Sequence, residues 1–412
     1  MQRKTILLFV LFVIVGVACR QQLGTTLPSQ TATFSSTGAP ASDSGDDARQ
    51  CRDSLPENRR FGVNAWHKTN FCLHSVPYEE FRSGGVGRDS IPSLDAPIFE
   101  SVEDGNLWLA DVEPVLVLTL GADSRAYPLS ILIWHEIVND VVEGKPIVVT
   151  YCPLCSSGLI FTRDVKGRIL DFGTTGNLRN ADLIMYDRQT ESWWQQFTGE
   201  AIVGDMTGEQ LTILPSAVVS WGDFKAQYPD GLVLSGDTGY ERFYGETPYI
   251  NYDSLTNPRA KFFDGELDRR LPTKMHLLGV KVGDVAIAYP YSLLSEVGVV
   301  NDEQNGQPLV IFWKAGTTSP LYKKVIAESR DVGSAAAFSR IVDDMTLTFL
   351  WNGEVFVDQE TNSTWNLFGT AVAGPLKGQQ LSSLSGHEFL WFAWVAFEPD
   401  TSLYAPPHRD EE

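Results

Sequence analysis

The chain has 412 residues, 43% of them hydrophobic, and a formal charge of -20 at pH 7. That length and apolar share can bury a large core and fit two domains better than one. The acidic excess repels a phosphate backbone, so nucleic acid is not an expected partner.

The N-terminus reads MQRKTILLFVLFVIVGVAC. Arg3 and Lys4 form a positive start, Ile6 to Val17 an apolar run, and Gly16, Val17 and Ala18 are slim residues before Cys19. Residues 1–19 therefore read as a signal peptide that is short for a bilayer span. The placement of Cys19 resembles a bacterial lipoprotein signal, although Gly16 stands where such signals usually carry Leu. On this reading Cys19 is lipidated, and the expected partner is a membrane, held through the N-terminal anchor on the outer side of the cell envelope. Residues 20–50, rich in Ser, Thr, Gly, Ala and Pro, read as a flexible tether. Export places the remaining thiols in an oxidising compartment. The simplest pairing joins Cys51 to Cys72 and leaves Cys152 and Cys155 to each other; two other pairings stay open.

Residues 51–109 are expected to wrap a body that carries an internal duplication. AYPLSILIWHEIVNDVVEGKPIVVTY, from Ala126, matches AYPYSLLSEVGVVNDEQNGQPLVIFW, from Ala288, without a gap. FTRDVKGRILDF from Phe161 is answered by FSRIVDDMTLTF from Phe338, and YDRQTESWWQQFTGEAIVGDMTGEQL by VDQETNSTWNLFGTAVAGPLKGQQL. Trp221 with Pro229 and Asp230 is answered by Trp391 with Pro399 and Asp400.

The matched blocks are period-2 apolar runs broken at Gly144-Lys145-Pro146, Lys166-Gly167 and Asn305-Gly306, which predicts hairpins. Short helices are expected after Pro128 and Pro290, each at a first helical position, and over 216–227. The expected fold is α+β and β-rich. It consists of two pseudo-symmetric copies of a hairpin-rich unit with a few short helices, over 110–235 and 276–405, joined by a crossing loop at 236–275.

What both copies keep, such as Trp194 and Trp365, Asp187 and Asp358, or Gly204 and Gly374, reads as scaffold. What is chemically special and occurs once reads as function. His135 faces Val297, Met185 faces Phe356, and the second copy has no Cys. The first copy also carries about six extra residues in GTTGNLRNADL. Chemistry is therefore expected in the first half.

The central motif is VVTYCPLCSSG, residues 148–158. With the preceding hairpin centred on Gly144 and Lys145, a constant index sum places His135 opposite position 154, between the two thiols. Three readings follow. Cys152, Cys155 and His135, with Met185 as a thioether, form a donor set suited to copper or zinc, and the stretch from Asn177 to Asp182 controls access. Alternatively the pair is a thiol-disulfide oxidoreductase centre or a thiol-dependent enzyme. A hairpin follows it, however, where thioredoxin-like proteins place a helix N-terminus. Or the pair is a structural disulfide in a binding or scaffold module.

Other residues read as structure. His67 and His74 beside Cys72 read as surface polar groups. Glu136 is expected to point to the opposite sheet face from His135. Asp187 with Glu191 reads as a turn, and most Trp as core.

The runs RAYPLSILIWHEIVNDVVEGKPIVVTYCPLCSSGLIFTR, DLIMYDRQTESWWQQFTGEAIVG and FLWFAWVAFEPDTSLY together resemble the bacterial family known as domain of unknown function 3179. The resemblance spans most of the chain after residue 85 and matches at Trp134, His135, Glu136 and at Tyr151 to Cys155. It implies membership of that family and no particular activity.

Overall fold

The computed structural model describes residues 51–53 and 55–406. The signal peptide, Cys19 and the tether lie outside the described residues. Among the described residues no helix is long and apolar enough to cross a membrane.

The protein is β-rich, with few and short helices. The period-2 runs form antiparallel ladders, as expected. Strand Pro114–Leu120 pairs with Asp123–Pro128, and Ile137–Val142 with Lys145–Cys152, which in turn pairs with Ser157–Thr162. Strand His276–Val282 pairs with Val285–Pro290, and Val299–Gln304 with Gln307–Lys314, which pairs with Ser334–Ser339. Each Tyr-Pro leads into a seven-residue helix, Leu129–His135 or Tyr291–Val297, with the proline as N-cap rather than first helical residue. The helix expected over 216–227 covers only Trp221–Gln227. Its first residues form the strand Ala217–Ser220, and Ser220 caps the helix by accepting from the Asp223 amide.

The hairpin turns follow the dipeptides. Lys166-Gly167 and Asn305-Gly306 both have positive φ at each residue, the geometry that matches strand twist. The turn before the thiol strand lies at Glu143-Gly144, one residue earlier than expected, with φ of 49° and 71°. Its ladder runs from Val142 opposite Lys145 to Ile137 opposite Thr150.

Residues 51–81 cover one sheet face. Phe61, Trp66, Phe71, Tyr78 and Phe81 pack on Ile184, Tyr186 and Trp193. One apolar cluster unites Cys152, Cys155, Leu183 and Met185 with Phe389, Leu390, Trp391 and Trp394 from near the C-terminus. The strand Gly386–Leu390 lies against the thiol turn, where the Leu390 amide donates to the Cys155 carbonyl at 2.9 Å. This packing brings second-half groups to the first-half thiols.

Asp187 has the turn role expected of it. It accepts from the amide and hydroxyl of Thr190 and from Trp194 Nε1 at 2.9 Å. Asp358 makes the same bonds to Thr361 and Trp365, the last at 2.8 Å. Glu191 pairs instead with Arg88 at 2.9 Å.

Candidate functional site: a buried Cys, Cys, Asp cluster

CPLCSS is the link between two antiparallel strands, with Cys152 opposite Ser157. The Cys155 amide donates to the Cys152 carbonyl at 3.2 Å, and Ser156 closes the turn at a φ of 52°. No helix starts here, so no helix dipole stabilises a thiolate. Cys152 is 2% exposed and Cys155 fully buried, and both are free thiols. Both sulfurs face the Ala181 carbonyl, at 3.8 and 3.6 Å.

Ala181 belongs to the tight turn Asn180-Ala181, with φ of 53° and 64°, between strands Phe172–Arg179 and Asp182–Asp187. The extra residues of the first half thus build a hairpin. The register shifts between Thr174 and Leu178, and glycine is required within that shift. Gly176 has a φ of 73°, and a Cβ there would lie 2.3 Å from the Val86 carbonyl oxygen.

Asp182, the first residue after the turn, completes the cluster. Its side-chain ligand atom and the two sulfurs all lie within 4.8 Å of one another, the only such group of three or more His, Cys, Asp or Glu among the described residues. One carboxylate oxygen, Oδ2, accepts from Gln195 Nε2 at 2.6 Å and from the Phe197 amide at 2.9 Å. The other, Oδ1, is buried without a hydrogen-bond partner.

Electrostatics at the cluster run one way. Burial pushes both thiols above their ordinary range, Cys155 well above it; at Cys152 the hydrogen bond with Cys155 opposes the rise, and the charge of Asp182 adds to it at both. Burial raises Asp182 from 3.8 to about 6 despite hydrogen bonding from Gln195, the Phe197 amide and the two thiols. Burial, reinforced by the charge of Asp182, raises Glu136 from 4.5 to about 8. These four groups are acidic, and none has a cationic partner among the described residues.

The other predicted site residues are placed as follows. Met185 is fully buried in the same apolar cluster as the thiols, on the strand Asp182–Asp187 and opposite Trp194. His135 is not in the thiol cluster. It ends the helix Leu129–His135, and Glu136, left-handed at a φ of 58°, turns the chain before the strand begins at Ile137. The ladder arithmetic therefore does not extend to residue 135. The His135 Nδ1 donates to the Pro92 carbonyl at 2.8 Å, which leaves Nε2 to accept from the Tyr244 hydroxyl at 2.7 Å. Both ring nitrogens are engaged, and burial lowers the His135 pKa. Cys51 and Cys72 form a disulfide with Cα atoms 5.1 Å apart, while His67 and His74 are exposed.

Sequence reasoning missed a second buried network directly behind the thiol turn. The Ser156 hydroxyl donates to Glu388 Oε1 at 3.0 Å, and the same oxygen accepts from His276 Nδ1 at 2.7 Å. His276 Nε2 reaches Asp253 Oδ2 at 2.9 Å, where Arg330 and Ser319 also donate at 2.8 and 2.6 Å. With both ring nitrogens donating to carboxylates, His276 is an imidazolium. Burial opposes that charge, but the two carboxylates outweigh it and raise the pKa from 6.5 to about 9. His276 and Arg330 likewise hold Asp253 below the usual carboxylate range in spite of its burial. Asp253 comes from the segment expected as a crossing loop, which also sends the Tyr252 hydroxyl to the Leu154 carbonyl at 2.9 Å.

The chain matches no curated protein and no solved structure. The expectation drawn from WHE, YCPLC and the closing FLWFAWVAFEPD is met over residues 88–401, where the chain matches the family described as Protein of unknown function (DUF3179), and it belongs to that family.

Proposed function

We propose that this chain holds a soft metal ion or a metal-bearing cofactor through Cys152, Cys155 and Asp182. The observation that carries the reading is the uncompensated acidity of the cluster. Two thiols and a carboxyl converge within 4.8 Å in a buried site, with Asp182 Oδ1 lacking any N–H or O–H donor. An orphaned buried oxygen costs stability, and a bound cation removes that cost while favouring the deprotonated form of every ligand. Two sulfurs and one oxygen suit zinc, and Met185 in the same cluster adds a thioether that favours Cu(I). His135, committed to Pro92 and Tyr244, is left out of this donor set.

Three further features form part of the proposal. Lipidated Cys19 and the tether at 20–50 hold the protein to the outer side of a bacterial membrane, supported by the apolar run that ends at Cys19. The body is a tandem duplication over 110–235 and 276–405. Support comes from the gapless match of the runs from Ala126 and Ala288 and from the like bonding of Asp187 and Asp358. Bound metal keeps the pair reduced in an oxidising compartment, where free neighbouring thiols tend to oxidise.

The test is elemental analysis with free-thiol counting on the full chain, purified from membranes in detergent without reductant. Copper or zinc near one per chain, lost in Cys155→Ser with the fold retained, is the expected result. No metal, no free thiols at Cys152 and Cys155, and failed reconstitution would replace the reading with thiol-disulfide chemistry or a structural disulfide.

A further inference from the structure

The turn that carries the thiols does not hold itself in shape. Its own two bonds are long, from the Cys155 amide to the Cys152 carbonyl at 3.2 Å and from the Ser156 amide to the Pro153 carbonyl at 3.4 Å. Three shorter bonds tie it to residues outside 110–235, one at each of three successive positions. The Tyr252 hydroxyl donates to the Leu154 carbonyl at 2.9 Å and the Leu390 amide to the Cys155 carbonyl at 2.9 Å, while the Ser156 hydroxyl donates to Glu388 Oε1 at 3.0 Å. Together they form a clamp on the turn.

Two of the clamp residues are not the ones that folding alone would choose. With Phe161 aligned to Phe338, Ser156 answers Gly333, and with Trp221 aligned to Trp391, Glu388 answers Val218. Both 156 and 333 are left-handed, at φ of 52° and 75°. Glycine takes that conformation freely, whereas serine is strained in it. Ser156 adds what glycine lacks, a hydroxyl that reaches Glu388. A buried carboxylate on the strand Gly386–Leu390 in turn needs the His276 imidazolium at 2.7 Å, which Asp253 holds from its other side. This chain of buried charges ends on the residue next to Cys155. The same strand also covers the site. Cys155 and Asp182 are fully buried and Cys152 is 2% exposed, and Phe389, Leu390, Trp391 and Trp394 share one apolar cluster with the thiols.

Resting on the metal-binding reading above, we infer that Glu388 and Tyr252 are positioning residues of the thiol site. Their hydrogen bonds go to the turn and not to the sulfurs. Through Ser156 and Leu154 they fix the turn so that both sulfurs stay aimed at Ala181 and Asp182, and a bound ion leaves only when the clamp opens. The site therefore retains its ion, as a resident cofactor is retained, and does not pass it on as cargo.

The experiment loads the full chain with Co2+ after its free thiols are counted. Sulfur-to-cobalt charge transfer in the ultraviolet and the ligand-field bands in the visible are followed at equilibrium, and then during removal of the ion by excess EDTA. Wild type is expected to show charge transfer and to release the ion slowly. Ser156→Ala severs Glu388 from the turn and leaves its bond to His276 in place; Tyr252→Phe removes the bond to Leu154. Each is expected to keep charge transfer, shift the visible bands and release Co2+ about tenfold faster, the scale of one lost buried hydrogen bond. Ser156→Gly, which relieves the left-handed strain, gives the same readout if the Ala variant fails to fold. Tyr289→Phe deletes a hydroxyl bond of 2.7 Å to Asp302 in a different apolar cluster and is expected to release at the wild-type rate. Wild-type bands and release rate in the folded clamp variants, or equally fast release from Tyr289→Phe, would overturn the positioning role and leave the thiol site standing. Immediate release by wild type would also overturn it. A wild type without charge transfer would overturn the thiol site, and this inference with it.

Discussion

Glu136→Gln is expected to stabilise the metal-free protein, by an amount that grows with pH. In the folded chain burial and Asp182 raise this carboxyl from 4.5 to about 8. Between those values the folded state holds the proton and the unfolded state releases it, so stability is greatest below pH 4.5 and declines as pH rises through 8. Holding the proton costs about 1 kcal/mol at pH 5 and about 3 kcal/mol at pH 7, at 1.36 kcal/mol per unit of pKa difference. Gln does not titrate and has nearly the same shape. The left-handed strain is common to both proteins and cancels. The assay is urea unfolding of chelator-treated wild type and variant at both pH values. The variant is expected to gain about 1 kcal/mol at pH 5 and about 3 kcal/mol at pH 7. A stability difference that does not change between the two pH values, or a less stable variant at pH 7, would refute the upward shift of the Glu136 carboxyl.

Two further outcomes test the frame around the site. His276→Gln removes an imidazolium held between Asp253 and Glu388 and leaves two buried carboxylates facing a neutral amide, at an expected cost of about 3–5 kcal/mol at pH 7. Because its pKa is raised from 6.5 to about 9, the stabilisation from His276 is complete below pH 6.5 and disappears as pH rises through 9. Urea midpoints of wild type and variant should therefore converge in alkali, and equal midpoints at pH 7 would count against the charged pair. Cys51→Ser with Cys72→Ser opens a cross-link spanning 21 residues and should lower stability by about 3 kcal/mol in thermal melts. An unchanged melting temperature would mean that residues 51–81 are held by Phe61, Trp66, Phe71 and their partners alone.

Strands were legible in the sequence because they are local. Alternation and the dipeptides Lys166-Gly167 and Asn305-Gly306 set the hairpins without reference to the rest of the chain. The turn at Glu143-Gly144 was misplaced by one residue because a Glu takes a left-handed conformation there that composition does not advertise. A shift of one in the turn moves every partner by two, and it mattered most for His135. The larger error was to extend the ladder past Ile137 into a helix. Asp182 was invisible for another reason. It meets the thiols only through a turn whose Ala181 lies 26 and 29 residues along the chain from Cys155 and Cys152, and hydropathy does not encode such a contact.

The filter that searched for residues present in one half only was sound in principle and too narrow in use. It discounted the second half, yet Glu388 and His276 lie behind the thiol turn because the strand Gly386–Leu390 packs there. It passed over Glu136 because alternation assigned that residue to the far face of a strand. The aligned runs already held the necessary clue, a Glu facing Gly298. Once a helix is inferred after Pro128, the residue that ends it is expected to be left-handed, and glycine is the natural choice. An acidic residue at that position carries strain that glycine would remove.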